Sequence, residues 1–328
     1  MGGDFGPEVT VPGAVAAVGK HPLLSLILVG DENLIEPLLE KHGLGNSEQI
    51  SLVHTEETVA MDDKPSVALR NRRQSSMRLA INQVKEGQAA AAVSAGNTGA
   101  LMAIARFVLK TLPGIDRPAI CGAIPGVDGK THMLDLGANV DSSSEELFRF
   151  AVMGSVLASA VDDKESPTVA LLNIGEEEIK GNDRVKQTAL LLEDSELNYY
   201  GFVEGTDIFR AVVDVVVCDG FVGNVALKSS EGVANMLTSM AKEEFTRGWA
   251  RKLGAMIAAP ALKAMKSRAD PRRYNGASLL GLRGIVVKSH GSADAWSFAN
   301  AIDVAVAEIE TDVPSRINDR LEEFLATS

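Results

Sequence analysis

Aromatic residues are scarce in this 328-residue chain, at 5%, so its core must be built from Ala, Val, Leu and Ile. With 30 glycines, such a core suits helices packed closely on a parallel sheet better than a β-sandwich. Cysteine is nearly absent too. Cys121 and Cys218 are the two present, and neither belongs to a CxxC pair. That excludes a disulfide framework or a zinc–thiolate site and suits a reducing cytoplasm. No apolar run approaches the ~20 residues of a membrane span. The opening Met1-Gly2-Gly3-Asp4 has neither the basic nor the apolar part of a signal peptide. GxxxxGK[ST] and GxGxxG are both missing, which removes the two common nucleotide-binding loops. The spacing of His, Cys and carboxylates shows no metal constellation, and no cofactor is expected.

What is present is a recurring unit: a short apolar run, then a small polar residue, then a helical pattern. Ser25–Gly30, Ala89–Ser94, Ala119–Pro125, Met133–Gly137 and Val169–Gly175 follow it, as do Tyr199–Glu204, Val212–Gly220 and Gly284–Gly291. Runs without polar alternation predict strands buried on both faces. The expected fold is α/β, a three-layer α/β/α sandwich with a mostly parallel sheet. It is read as a single domain over residues 1–328, since no linker divides the chain. Overlapping Ser-x-x-Glu boxes in Asp141–Glu146 predict a helix start. Residues 232–276 read as a helical excursion broken at Pro260.

The net charge of −12 argues against general nucleic-acid binding. Yet Arg247, Arg251, Lys252, Lys263, Lys266, Arg268, Arg272 and Arg273 face one acid, Asp270, within 27 residues. This island has three readings. It is a helix with a charged outer face, a membrane-surface contact, or a dock for an acidic carrier protein. In the membrane reading Leu253, Met256, Ile257 and Leu262 enter lipid while Arg251 and Lys252 meet anionic headgroups.

Ligands of parallel α/β sheets bind beyond the carboxyl ends of strands, so the polar loops there are the candidate sites. Ser94-Ala95-Gly96-Asn97-Thr98-Gly99-Ala100 offers small residues and a helix N-terminus to an anion, or is simply a capped turn. Asn173–Gly181 sets Lys180 among Glu176, Glu177 and Glu178; it polarises a carbonyl or binds phosphate, or is a solvated helix start. In Cys218–Asn224, Asn224 donates to an oxyanion or caps the next helix. Asp135–Asn139 and His290–Asp294 complete the set. His290 has no evident carboxylate partner, and Cys218 reads as buried filler more than as a nucleophile.

MGGD at 1–4, SAGNTGA at 94–100, DLGAN at 135–139 and NIGEE at 173–177 occur in that order. Lys180-Gly181, VEGTDI at 203–208, CDGFVGN at 218–224 and HGSAD at 290–294 follow. Together they resemble the bacterial phosphate acyltransferase family of phospholipid synthesis, PlsX, over essentially the whole chain. The resemblance implies transfer of a long acyl chain from acyl carrier protein to inorganic phosphate, giving an acyl phosphate. It also implies a homodimer and a fold similar to phosphotransacetylase and isocitrate dehydrogenase-like enzymes. By motif, Lys180 and Asn224 are the expected catalytic residues. Ser94, Gly96, Asn97, Thr98, Asn139, Glu176 and His290 are the expected phosphate and substrate contacts. Family members usually carry a short strand before MGGD, so a first strand is expected to be missing here. With the family in view, peripheral association of a cytoplasmic enzyme with anionic membrane becomes the leading reading of the basic island. A short-chain phosphotransacetylase acting on coenzyme A thioesters is the nearest rival, with a dehydrogenase or an inert scaffold further off.

Overall fold

The structure, a computed structural model, describes residues 1–177, 179–268 and 270–327, without the side chains of Lys266 and of 325–327. Glu178 of the glutamate-rich loop and the Lys266 ammonium of the basic island therefore lie outside the described residues.

Two parallel strands, β1 (Leu26–Gly30) and β2 (Ile50–His54), form a small sheet. The main sheet takes β3 (Ala91–Ser94), β4 (Ala119–Gly126), β5 (Gly129–Leu134) and β6 (Val169–Leu172). It also takes β7 (Tyr199–Val203), β8 (Val215–Val217), β9 (Ala277–Leu280) and β10 (Ile285–Lys288). Their spatial order is β3-β10-β9-β4-β5-β8-β6-β7. Pairing is parallel for β3–β10, β5–β8, β8–β6 and β6–β7, and antiparallel for β10–β9, β9–β4 and β4–β5. Three reversals therefore set β3 and β10 opposite in direction to the β5–β8–β6–β7 block.

The helices are α1 (Pro7–Lys20), α2 (Glu32–Lys41), α3 (Pro65–Asn71), α4 (Ser76–Lys85), α5 (Thr98–Leu109) and α6 (Ser144–Asp162). They continue as α7 (Asp183–Glu193), α8 (Gly205–Ile208), α9 (Gly220–Thr246), α10 (Trp249–Arg268), α11 (Ala295–Glu310) and α12 (Val313–Thr327). Neighbouring residues on one strand enter different cores. Met133, Val216 and Ala170 join Ile81 and Ile104 on one face, while Leu134, Val217 and Leu171 join Phe150 and Ile317 on the other. A strand with both faces buried needs no polar alternation, which is why the runs are continuous. The three-layer sandwich is the result. At the start of α6 the expected capping box forms: the Ser143 hydroxyl accepts from Glu146 N at 3.2 Å, and Glu146 accepts from Ser143 N at 2.9 Å.

Some expectations need correction. β2 and β9 lack the signature used above: β2 lies in the small sheet, and β9 is four residues long. The helical excursion begins at Gly220 rather than 232. Its turn is not at Pro260, which sits inside α10. The chain reverses at Arg247-Gly248, where Gly248 has φ +136°, a conformation open to glycine. Pro260 removes one helical N–H, but on an exposed helix water can satisfy the freed carbonyl. The small sheet does not join the large one. β1 and β3 face each other across a cavity lined by Met1, Leu28, Val29, Val93, Ser94 and Phe298.

Candidate active site

Asp135 follows β5 directly and organises the first loop. Its carboxylate accepts from the backbone N–H of Ile120 (3.0 Å), Gly137 (3.1 Å), Ala138 (2.9 Å) and Asn139 (2.6 Å), and from the Asn139 amide (3.0 Å). Burial pushes this carboxyl up, and the N–H donors pull against it. The other Asn139 amide hydrogen goes to the Pro118 carbonyl at 2.9 Å. Asn139, expected to touch substrate, thus has its amide committed to holding the loop.

The Cys218–Asn224 turn packs directly on that loop. Gly220 N donates to the Asn139 carbonyl at 2.8 Å, and a Cβ at Gly220 would sit 2.6 Å from the same oxygen. Asp219 caps α9 by accepting from Val222 N at 2.9 Å. Asn224 is therefore not the cap. It lies in the second turn, exposed, with its side chain against Gly137 and no hydrogen bond to another described residue. Cys218 is buried, and burial pushes its thiol well up, away from the nucleophilic thiolate.

Lys180 follows β6 and pairs with Glu177 at 2.7 Å. That hydrogen bond, with the charge of Glu204 nearby, holds its pKa above the usual lysine value. It is a fixed ammonium, partly exposed. Asn173 donates to the Lys180 carbonyl at 3.3 Å and keeps the loop folded back. Glu176 is exposed.

A second cluster forms at the ends of β3 and β10. Asn97 caps α5, accepting from Ala100 N at 3.0 Å, and its amide donates to the Met61 and Asp63 carbonyls at 2.8 and 3.0 Å. Both functions of this side chain are occupied structurally. Ser94 accepts from Gly96 N at 3.2 Å, whereas Thr98 is exposed at the first turn of α5. The N-terminal glycines close in from above: a Cβ at Gly2 would lie 2.7 Å from Gly96 N. Asp4 N donates to the Gly291 carbonyl at 2.8 Å. His290 bonds Ser292 at 2.8 Å, and partial desolvation plus the Lys228 charge push its pKa down.

Lys288 stands in this cluster and was not anticipated. Its ammonium is buried, donates to the Ser289 and Ala95 carbonyls, and is pushed down to about 8 by burial, with Asp4 and Lys228 near it. A lysine closing an otherwise apolar strand was the available signal. α9 links the two clusters. Asn224 at one end meets Gly137, and Lys228, four residues on and so on the same helix face, acts on Lys288 and His290.

A family model described as "Fatty acid synthesis protein" matches residues 1–316. The phosphate acyltransferase of Methylococcus capsulatus is 58% identical over 326 residues, covering 99% of this chain and 96% of its own. That of Alkalilimnicola ehrlichii is also 58% identical, covering 99% and 95%. The chain belongs to the phosphate acyltransferase family. As a member of it, the chain is an acyltransferase. Solved phosphotransacetylases share the fold of this chain: one from Streptococcus pyogenes has a TM-score of 0.61 at 18% identity, covering 92% of this chain and 91% of that one. EutD phosphotransacetylase from Staphylococcus aureus has a TM-score of 0.59 at 18% identity, covering 92% of both chains.

Proposed function

We propose that the chain transfers a long fatty acyl group from an acyl carrier protein thioester to inorganic phosphate, releasing an acyl phosphate for phospholipid synthesis. What supports this reading is one face of α9, with an uncommitted amide, Asn224, against Gly137 and a cation, Lys228, paired with Glu231 at 2.8 Å and acting on Lys288 and His290. Phosphate is anionic at neutral pH and a thioester is already activated. Such a reaction needs positioning and charge stabilisation more than a strong base.

In this scheme a phosphate oxygen attacks the thioester carbonyl and forms the C–O bond. The resulting oxyanion is held by Lys180 and Asn224. Collapse breaks the C–S bond, and the thiolate leaves with the proton that phosphate carried. Thr98 N–H at the start of α5 and the Lys288 ammonium supply the anion-binding end, with Ser94, Gly96 and Asn97 shaping it. The acyl chain, its carrier and a homodimeric state come from the family reading rather than from a contact within this chain.

The α9–α10 hairpin is the proposed membrane contact. Trp249, Leu253, Met256 and Ile257 recur at helical spacing, and all are exposed. Part of the basic island is neutralised locally, Arg247 by Glu243 and Glu244, and Arg251 by Glu244. Apolar insertion therefore carries more of this contact than the number of cations in the island suggests.

Lys180→Ala and Asn224→Ala are each expected to lower turnover by about 10²–10³. Both side chains are exposed enough that melting should barely change. Near wild-type turnover in the two variants contradicts the assignment, and a trapped acyl-Cys218 would contradict direct attack by phosphate. Faster transfer from short-chain coenzyme A thioesters than from carrier-protein thioesters would favour the phosphotransacetylase reading.

A further inference from the structure

Residues 64–85 contain Lys64, Arg70, Arg72, Arg73, Arg78 and Lys85 and no carboxylate. On a chain of net charge −12 this is a second basic segment, separate from the hairpin. It folds as α3 and α4, both packed on α5. Arg72 turns inward, toward Glu57 and Asp63 at 3.8 and 3.7 Å. Lys64 and Lys85 are exposed and Arg78 is half-buried. Arg70 and Arg73 are exposed, and no carboxylate among the described residues lies within ion-pair distance of Arg70, Arg73, Arg78 or Lys110. Partial burial, and then the Arg73 charge, lower the Arg78 pKa.

Two of these cations, Arg78 and Lys110, flank an aromatic ring that a solvated surface does not need. Phe107 is 53% exposed, with the Arg78 guanidinium 5.2 Å and the Lys110 ammonium 4.8 Å from its centroid. An exposed ring flanked by unpaired cations joins apolar area to charge of one sign, the composition of an interface anchor. Like charges gathered this closely repel one another until an anionic partner arrives. A two-fold contact of this face with itself would set cations against cations, so a second copy is the wrong occupant.

The surface is continuous with the candidate site. Pro65 at the start of α3 meets Gly99, where a Cβ would lie 2.9 Å from its ring. Asn97 tethers the 61–63 segment that leads into α3. Along α5, Phe107 lies about 14 Å from Thr98 at the usual rise. A partner seated on this face would sit beside the anion-binding loop, within reach of a flexible thioester arm.

We infer that the Arg70–Arg73–Arg78–Lys110 surface around Phe107 docks an acidic protein that carries the acyl thioester. This rests on the acyl-transfer reading above and adds where the donor binds. It leaves the α9–α10 hairpin to the membrane and gives the two basic segments different partners.

The test uses the full chain and its Arg70→Glu/Arg73→Glu and Phe107→Ala variants, both altered at exposed positions outside the reaction loops. Turnover is measured with an acyl thioester on an acidic acyl carrier protein and with the same acyl group on pantetheine alone. Binding of the carrier protein is followed separately by fluorescence anisotropy. The charge reversal is expected to raise KM for the carrier-protein donor and to weaken carrier binding by about tenfold or more. It should leave the pantetheine donor within about twofold. Wild-type binding should weaken with salt. Unchanged carrier binding overturns the inference. So does an equal loss with both donors, a change of oligomeric state in the variants, or loss of binding only to phosphatidylglycerol vesicles. If wild type binds the carrier through this face yet forms no acyl phosphate from either donor, the acyl-transfer reading fails and the docking surface stands.

Discussion

Glu308 is 2% exposed, and its hydrogen-bond partner is the Ser278 hydroxyl. Burial pushes its carboxyl up to about 7, so at neutral pH it is poised between its two forms. An acid raised in this way binds more protons in the folded chain than in the unfolded one. Stability is then full below the ordinary glutamate value and falls as pH rises toward 7. Glu308→Gln keeps a hydrogen-bonding group and removes the charge. Relative to wild type, the variant is expected to gain stability between pH 5 and 8, by on the order of 3 kcal/mol at the upper end. Denaturant midpoints across that range check this; parallel curves for the two proteins would contradict it. The same scale shows where reading residues one at a time stops. Asn97 and Asn139 were expected at the substrate because an amide in a polar loop can donate to one. The structure spends both on holding loops, Asn97 on the Met61 and Asp63 carbonyls and Asn139 on the Asp135 carboxylate and the Pro118 carbonyl. Those partners lie 36, 34, 4 and 21 residues away, and no such pairing leaves a pattern in the sequence. Lys288 is the converse, a buried cation hidden in an apolar run.

At the scale of elements, local signals worked where the chemistry is local. The Ser143–Glu146 box and the strand runs buried on both faces could be read directly, because capping and two-sided burial act on neighbours. The α9–α10 reversal could not. Pro260 looked like the break, but an exposed helix tolerates it, and Gly248 makes the turn. The hairpin's own prediction belongs here. Leu253→Glu/Ile257→Glu is expected to lose most of its flotation with anionic liposomes while keeping its turnover on a soluble donor. Each substitution replaces an exposed apolar contact with a charge that headgroups repel. Equal flotation of variant and wild type removes the membrane reading. The α3–α4 basic segment is less conspicuous in the sequence than the island at 247–273, and only the fold brings its Arg78 onto Phe107.

For the whole molecule, the α/β/α class followed from composition and from the apolar runs. The mixed strand directions did not, since they depend on β9 and β4 inserting between two parallel groups. That insertion sets β3 and β10 antiparallel to the β5–β8–β6–β7 block, and the candidate loops accordingly form two clusters instead of one crevice. α9, which meets Gly137 at Asn224 and carries Lys228 near Lys288, is the element through which we propose they act together. Membership of the phosphate acyltransferase family supplies the reaction, and the geometry supplies a mechanism by positioning. The most direct test of both is to incubate the purified chain with a long-chain acyl carrier protein thioester and labelled inorganic phosphate. Phosphate-dependent formation of labelled acyl phosphate, with one free carrier thiol per acyl group transferred, is the predicted result. Thiol release that is independent of phosphate, or the absence of labelled acyl phosphate, would contradict the account.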